Sequence, residues 1–167
     1  EGRSWSIKGT RYGESLELSQ QDTLVLLVNE RYKLPENLYI DQDVFQLASS
    51  NMIAPDIRVY STDDTTPTLR VQFYTQEEKP VYDNMDFNWN YKNDTLRFDN
   101  YIKLAGQWRA QRVTLSLYLP ENKKVLLPPQ TSQYLRNLRD FDWGVRSRLN
   151  KDKILLIMQD GKLHPLM

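Results

Sequence analysis

Hydrophobic alternation with a period of two constrains this chain more than any other feature. Val113, Leu115, Leu117 and Leu119 fall on one side of an extended segment and Thr114, Ser116 and Tyr118 on the other. Such a segment is a half-buried strand, because successive side chains leave opposite faces, and Pro120 closes it. The same reading predicts strands at Ile57 and Val59, at Leu69, Val71 and Phe73, and at Phe87, Trp89 and Tyr91, each with polar or amphipathic residues between. Leu24 to Val28 and Ile154 to Met158 are short continuous apolar runs. Their length and polar bounds favour strands, covered on both faces, over helix segments.

Turn-forming clusters separate these runs: Ser61 to Pro67, then Lys92, Asn93 and Asp94, then Glu121 and Asn122, then Gln159, Asp160 and Gly161. Turns roughly 8–18 residues apart suit a sandwich, a barrel or a solenoid. Helical signal is confined to Thr131 to Leu138 and to Gln42 to Ala48, one or two turns each. The chain has no internal repeat and no Gly- or Ser-rich linker, and its 167 residues suit one core. The expectation is an all-β chain folded as a single β-rich domain over residues 1–167, with at most one or two short helices.

Charge and chemistry narrow the function. Lys plus Arg equals Asp plus Glu at 22 each, so no field of one sign draws in a polyanion, and nucleic acid is not expected as a partner. The chain has no Cys and one His, His164, the fourth residue from the end. That set supplies neither a thiol nucleophile nor the usual zinc ligands, and a chain terminus is a poor place to hold a catalytic base. The close carboxylate pairs Asp41 and Asp43, Asp63 and Asp64, Asp83 and Asp86, and Asp140 and Asp142 lack the spacing of a calcium loop and read as turn residues. The six glycines are scattered and form no phosphate cradle. The expectation is a protein that is not an enzyme and takes no cofactor or metal.

Recognition is then the remaining role. Trp89 lies on an alternating strand and reads as core, whereas Trp108 and Trp143 sit in polar surroundings, Trp143 inside the turn-like Asp140 to Gly144. Arg136, Arg139, Arg146, Arg148, Lys151 and Lys153 form the densest basic run. It reads either as a solvated face interleaved with Asp140, Asp142 and Asp152 or as a contact for anionic headgroups. Trp108, Arg109, Trp143, Arg146 and Arg148 are therefore the expected ligand or partner surface.

The order of segments from Asp56 to Pro120 carries a family resemblance. Asp-Ile-Arg-Val-Tyr-Ser is followed by Thr-Leu-Arg-Val-Gln-Phe-Tyr, by Phe-Asn-Trp-Asn-Tyr-Lys-Asn-Asp-Thr-Leu-Arg-Phe-Asp, and by Arg-Val-Thr-Leu-Ser-Leu-Tyr-Leu-Pro. This series resembles the C-terminal extracytoplasmic domain of phage shock protein C-like membrane proteins and the related adhesin domains of the head GIN type. The tail from Asp142 to His164 resembles the closing strands of the same domain. The resemblance implies an elongated stacked-strand architecture, parallel β-helix-like, with a β-sandwich as the alternative. It also implies a non-catalytic domain of an envelope-anchored protein at the periplasm or cell surface, serving protein interaction, scaffolding or envelope stress sensing, with a carbohydrate-binding or adhesive module as the alternative. An envelope protein or a surface glycan would be the partner. No site residue is carried over. The start at Glu1, without Met, fits a soluble fragment whose parent holds a membrane anchor.

Overall fold

A computed structural model of the chain describes residues 3–6, 11–20, 23–31, 52–74, 85–104, 112–129, 131, 135 and 153–166. Its strands are β1 (Arg3–Ser6), β2 (Arg11–Glu17), β3 (Leu24–Asn29), β4 (Met52–Ile53), β5 (Asp56–Ser61), β6 (Thr68–Tyr74) and β7 (Met85–Asp86). They continue with β8 (Asn88–Lys92), β9 (Thr95–Asp99), β10 (Ile102–Leu104), β11 (Arg112–Leu119), β12 (Lys124–Leu127), β13 (Ile154–Gln159) and β14 (Lys162–Pro165). No α-helix occurs among the described residues.

The strands form three open sheets: seven strands in the order β1-β8-β9-β3-β12-β13-β14, four in the order β2-β6-β11-β5, and three in the order β4-β10-β7. The chain repeatedly steps from sheet to sheet over a few residues. From β2 to β3 and from β11 to β12 it leaves the four-stranded sheet for the seven-stranded one, and from β9 to β10 it passes from the seven-stranded to the three-stranded sheet through Asn100 and Tyr101. From β4 to β5 it passes from the three-stranded to the four-stranded sheet through Ala54 and Pro55. Strands delivered in this way stack in parallel: β11 on β5, β12 on β3, and β3 on β9. That is the stacking of a β-helix, with antiparallel hairpins added at its margins, and it agrees with the elongated stacked-strand expectation.

One hydrophobic core fills the space between the three sheets. Leu26, Phe98 and Leu156 enter it from the seven-stranded sheet, Ile57, Leu69 and Leu115 from the four-stranded sheet, and Ile102 and Leu104 from the three-stranded sheet. Alternation is the cause: the odd-numbered residues of β11 from Val113 to Leu119 are all buried, as are Leu69, Val71 and Phe73 of β6. Two hairpins carry the turn chemistry that their sequence announces. Asn93 and Asp94 have φ of 53° and 57°, and Asp160 and Gly161 have φ of 54° and 77°, as two-residue turns matched to strand twist require.

Three sequence expectations change. Phe87, Trp89 and Tyr91 do not share one strand: Phe87 is the corner between β7 and β8, while Phe87 and Trp89 are both buried. A chain wrapped around a core keeps pointing the same residues inward as it turns, so the alternation survives the corner. Leu135 is not helical; it makes an isolated parallel bridge to Ile57, and the Thr131 hydroxyl donates to the Leu26 carbonyl at 3.0 Å. The rest of that segment, and Gln42 to Ala48, lie outside the described residues. Finally, the runs in β3 and β13 are fully covered on one face only, Val25, Leu27, Leu155 and Ile157 being half-buried on the other.

Candidate functional site

The outer face of the four-stranded sheet is built by the polar half of the alternation. Register places Tyr60 of β5, Tyr118 of β11, Thr68 of β6 and Glu17 of β2 in one row. The next row holds Arg58, Ser116, Arg70 and Ser15. The Tyr60 and Tyr118 rings stack with centroids 5.4 Å apart and planes 22° from parallel, a contact between two half-buried rings that fixes both. Ser116 faces outward yet is only 5% exposed. Its neighbours in the row, Arg58 and Arg70, are long enough for their aliphatic stems to cover it.

Arg58 is held in place. Its Nε donates to Asp56 Oδ1 at 3.1 Å, its Nη2 lies 3.1 Å from Asp56 Oδ2, and its Nη1 donates to the Tyr60 hydroxyl at 3.4 Å. Hydrogen bonding to Asp56, then to Tyr60, holds the guanidinium further toward its charged form than an isolated arginine, against the opposing cost of partial burial. Arg70 and Arg112 occupy exposed outward positions on β6 and β11. The face thus combines a fixed aromatic pair, an oriented guanidinium and two exposed ones.

A concavity of about 460 Å³ lies where the four-stranded sheet hands the chain to the seven-stranded one. Gln20, Asp63, Asp64, Glu121, Asn122 and Lys123 are among its walls. Its polar groups hold the corner together: Lys123 Nζ donates to the Ser19 carbonyl at 2.5 Å, and Glu121 Oε1 accepts from the Asp160 N–H at 3.2 Å. Among the described residues no group of three or more His, Asp or Glu side chains is arranged to hold a metal ion. Asp86, a member of one sequence pair, is bound bidentately by Arg31, at 2.8 and 2.6 Å.

His164 is placed more firmly than a terminal position suggests. The Asp160–Gly161 turn folds it back beside β13, where it is half-buried and Nε2 lies 3.0 Å from the Gln159 carbonyl. Trp89 is buried, as its strand position implies. Trp108, Arg109, Trp143, Arg146 and Arg148, the expected partner surface, lie outside the described residues, and the face just described is built from other residues. The signal for the latter was present as the tyrosines and arginines in the outward positions of β5, β6 and β11.

A family model described as ToastRack found in some PspC matches residues 39–165, well over half of the 167-residue chain. No curated protein and no solved structure matches. The matched span contains β4 to β14, and so both of the strands that carry the stacked tyrosines.

Proposed function

The chain belongs to the ToastRack family found in some PspC proteins, an envelope-associated setting, and from that premise we propose that it is a non-catalytic, extracytoplasmic recognition domain. It acts through protein contacts, as a scaffold or a sensor of envelope stress in a membrane-anchored parent. The observation that carries this reading is the outer face of the four-stranded sheet, where Tyr60 stacks on Tyr118 beside Arg58 and Arg70. Tyr and Arg are the residue types that most often dominate the energy of protein interfaces, and here a rigid sheet holds them in fixed positions at little conformational cost. Lys123, Glu121, Thr131 and Asp99 at the corners each bond to backbone or to other side chains, which suits a framework that keeps its shape while a partner docks.

The test is capture of envelope proteins by the purified chain, with a Tyr60→Ala/Tyr118→Ala variant in parallel. A partner retained by the wild type and lost from the folded variant supports the reading. A monomer that retains nothing, or a partner held equally by both proteins, overturns it. The same aromatic pair, flanked by Arg58 and, in its own row, by Thr68, favours a surface glycan as the second reading, since sugar recognition joins stacking to directed hydrogen bonds. Saturable quenching of tyrosine fluorescence by a glycan panel, lost in the same variant, would select it.

A further inference from the structure

The outward positions of the seven-stranded sheet carry an apolar stripe that alternation alone does not require. Val25 and Leu27 on β3, Leu126 on β12, and Leu155 and Ile157 on β13 are half-buried, and Leu166, just past β14, is 39% exposed. Register sets Leu126 between Val25 and Leu155, and the Leu166 N–H donates to the Leu155 carbonyl at 2.9 Å, so these positions neighbour one another across β3, β12, β13 and the residue after β14. A sheet face turned to water ordinarily alternates to polar residues, and a contiguous apolar patch marks an interaction site.

The exposed charges at the outward strand positions beside the stripe have one sign, while the exposed carboxylate of Asp160 lies in the turn before Lys162. Lys92, Arg97, Lys124 and Lys162 occupy outward positions of β8, β9, β12 and β14 and are exposed. Among the outward positions of the described strands in this sheet the one carboxylate is Asp99, which is 1% exposed and paired with Arg31. Because the whole chain is balanced at 22 charges of each sign, this segregation is local.

We propose that this face docks on an anionic lipid bilayer, the aliphatic centre meeting the headgroup and acyl boundary and the cationic margin meeting the lipid phosphates. An apolar centre ringed by lysine and arginine is the pattern that interfacial binding uses, and each cation near an anionic surface adds to it. A second copy is disfavoured as occupant, since a two-fold contact through the stripe would bring the cationic margin of one chain against that of the other. The inference stands apart from the protein-contact reading, which uses the outer face of the four-stranded sheet.

Flotation of the purified chain with phosphatidylglycerol and phosphatidylethanolamine vesicles, against phosphatidylcholine vesicles, tests it. The chain floats with the anionic vesicles, less so as salt rises, and stays in the dense fraction with phosphatidylcholine. Lys124→Gln and Lys162→Gln each weaken partition about fivefold. Leu166→Asn, at an exposed position, weakens partition while leaving the unfolding midpoint unchanged. Tyr60→Ala/Tyr118→Ala floats like the wild type, which separates this result from any failure of the protein-contact reading. Absence of flotation with anionic vesicles, or equal flotation of the wild type and the three stripe and margin variants, overturns the proposal. A concentration-dependent dimer abolished by Leu166→Asn also overturns it and gives the face to a second copy.

Discussion

Arg31 Nη1 donates to Asp99 Oδ2 at 3.0 Å, joining a guanidinium whose side chain is 34% exposed to a carboxylate that is almost wholly buried. Asp99 also accepts from Asn29 Nδ2 at 3.3 Å and from the Asn88 N–H at 2.8 Å. Three segments therefore converge on one carboxylate at the corner between the seven-stranded and three-stranded sheets. The end of β3, the start of β8 and the end of β9 are pinned together there.

Replacing Asp99 with Ala removes the acceptor that the Asn88 N–H, the Asn29 amide and the Arg31 guanidinium share, and three part-buried hydrogen bonds are lost at once. The expected loss is about 2–4 kcal/mol, read as a lowered urea midpoint. Arg31→Met should cost less, about 1–2 kcal/mol, because solvent already screens part of that side chain. Equal effects of the two substitutions would show that the corner depends on the ion pair alone, and not on the backbone bond to Asn88.

Gly161 closes the β13–β14 hairpin at φ 77°, and a methyl group there would meet nothing nearer than Ser61 Oγ at 3.8 Å. The space is adequate, so Gly161→Ala tests backbone conformation without a steric clash. An L-residue in the left-handed region costs about 1 kcal/mol, and the thermal midpoint should fall accordingly. A Gly161→Ala protein as stable as the wild type would mean that the turn relaxes to another type at no cost.

Tyr60 and Tyr118 offer a clean coupling measurement. Single replacements by Leu and the double replacement should give a cycle with about 0.5–1.5 kcal/mol of interaction, the range for stacked aromatic pairs. Chemical denaturation of the four proteins measures it. Zero coupling would reduce the pair to two neighbours that merely share a sheet row.

The inward half of this fold was readable because it follows from one rule. Val113 to Leu119, Leu69 to Phe73 and the Asp160–Gly161 turn each state their conformation locally, through side-chain period or tolerance of positive φ. The three-sheet wrapping was not, because a corner leaves no mark when the core-facing residue simply continues inward, as Phe87 does. Leu135 shows the same limit from the other side: its neighbours favour a helical turn, but a non-local bridge to Ile57 decides its conformation. The tyrosine and arginine face escaped notice because outward residues look like ordinary solvated positions until register, which depends on strands far apart in sequence, sets them in rows. The basic run from Arg136 to Lys153 drew attention because its charges are close in sequence, whereas Lys92, Arg97, Lys124 and Lys162 gather only through the order of the sheet.

Lys123 is 5% exposed, and its ammonium donates to the Ser19 carbonyl 104 residues earlier in the chain. The bond joins the two crossings from the four-stranded to the seven-stranded sheet, after β2 and after β11. Lys123→Met keeps most of the stem and removes the donor, so the lost charged hydrogen bond is offset in part by the ammonium no longer being desolvated. With bonds to charged groups worth about 1.5–3 kcal/mol, the net cost should be about 1–2 kcal/mol. Lys123→Ala, which also empties the space of the stem, should cost at least 1 kcal/mol more. Hydrogen exchange localises the effect: the Ser19 and Met158 amides, the latter bonded to the Lys123 carbonyl at 2.9 Å, should lose protection before those in the centre of β11. If both variants unfold at the wild-type midpoint, the two crossings are held by packing of Leu18 and Leu24 into the core, and the lysine is a passenger.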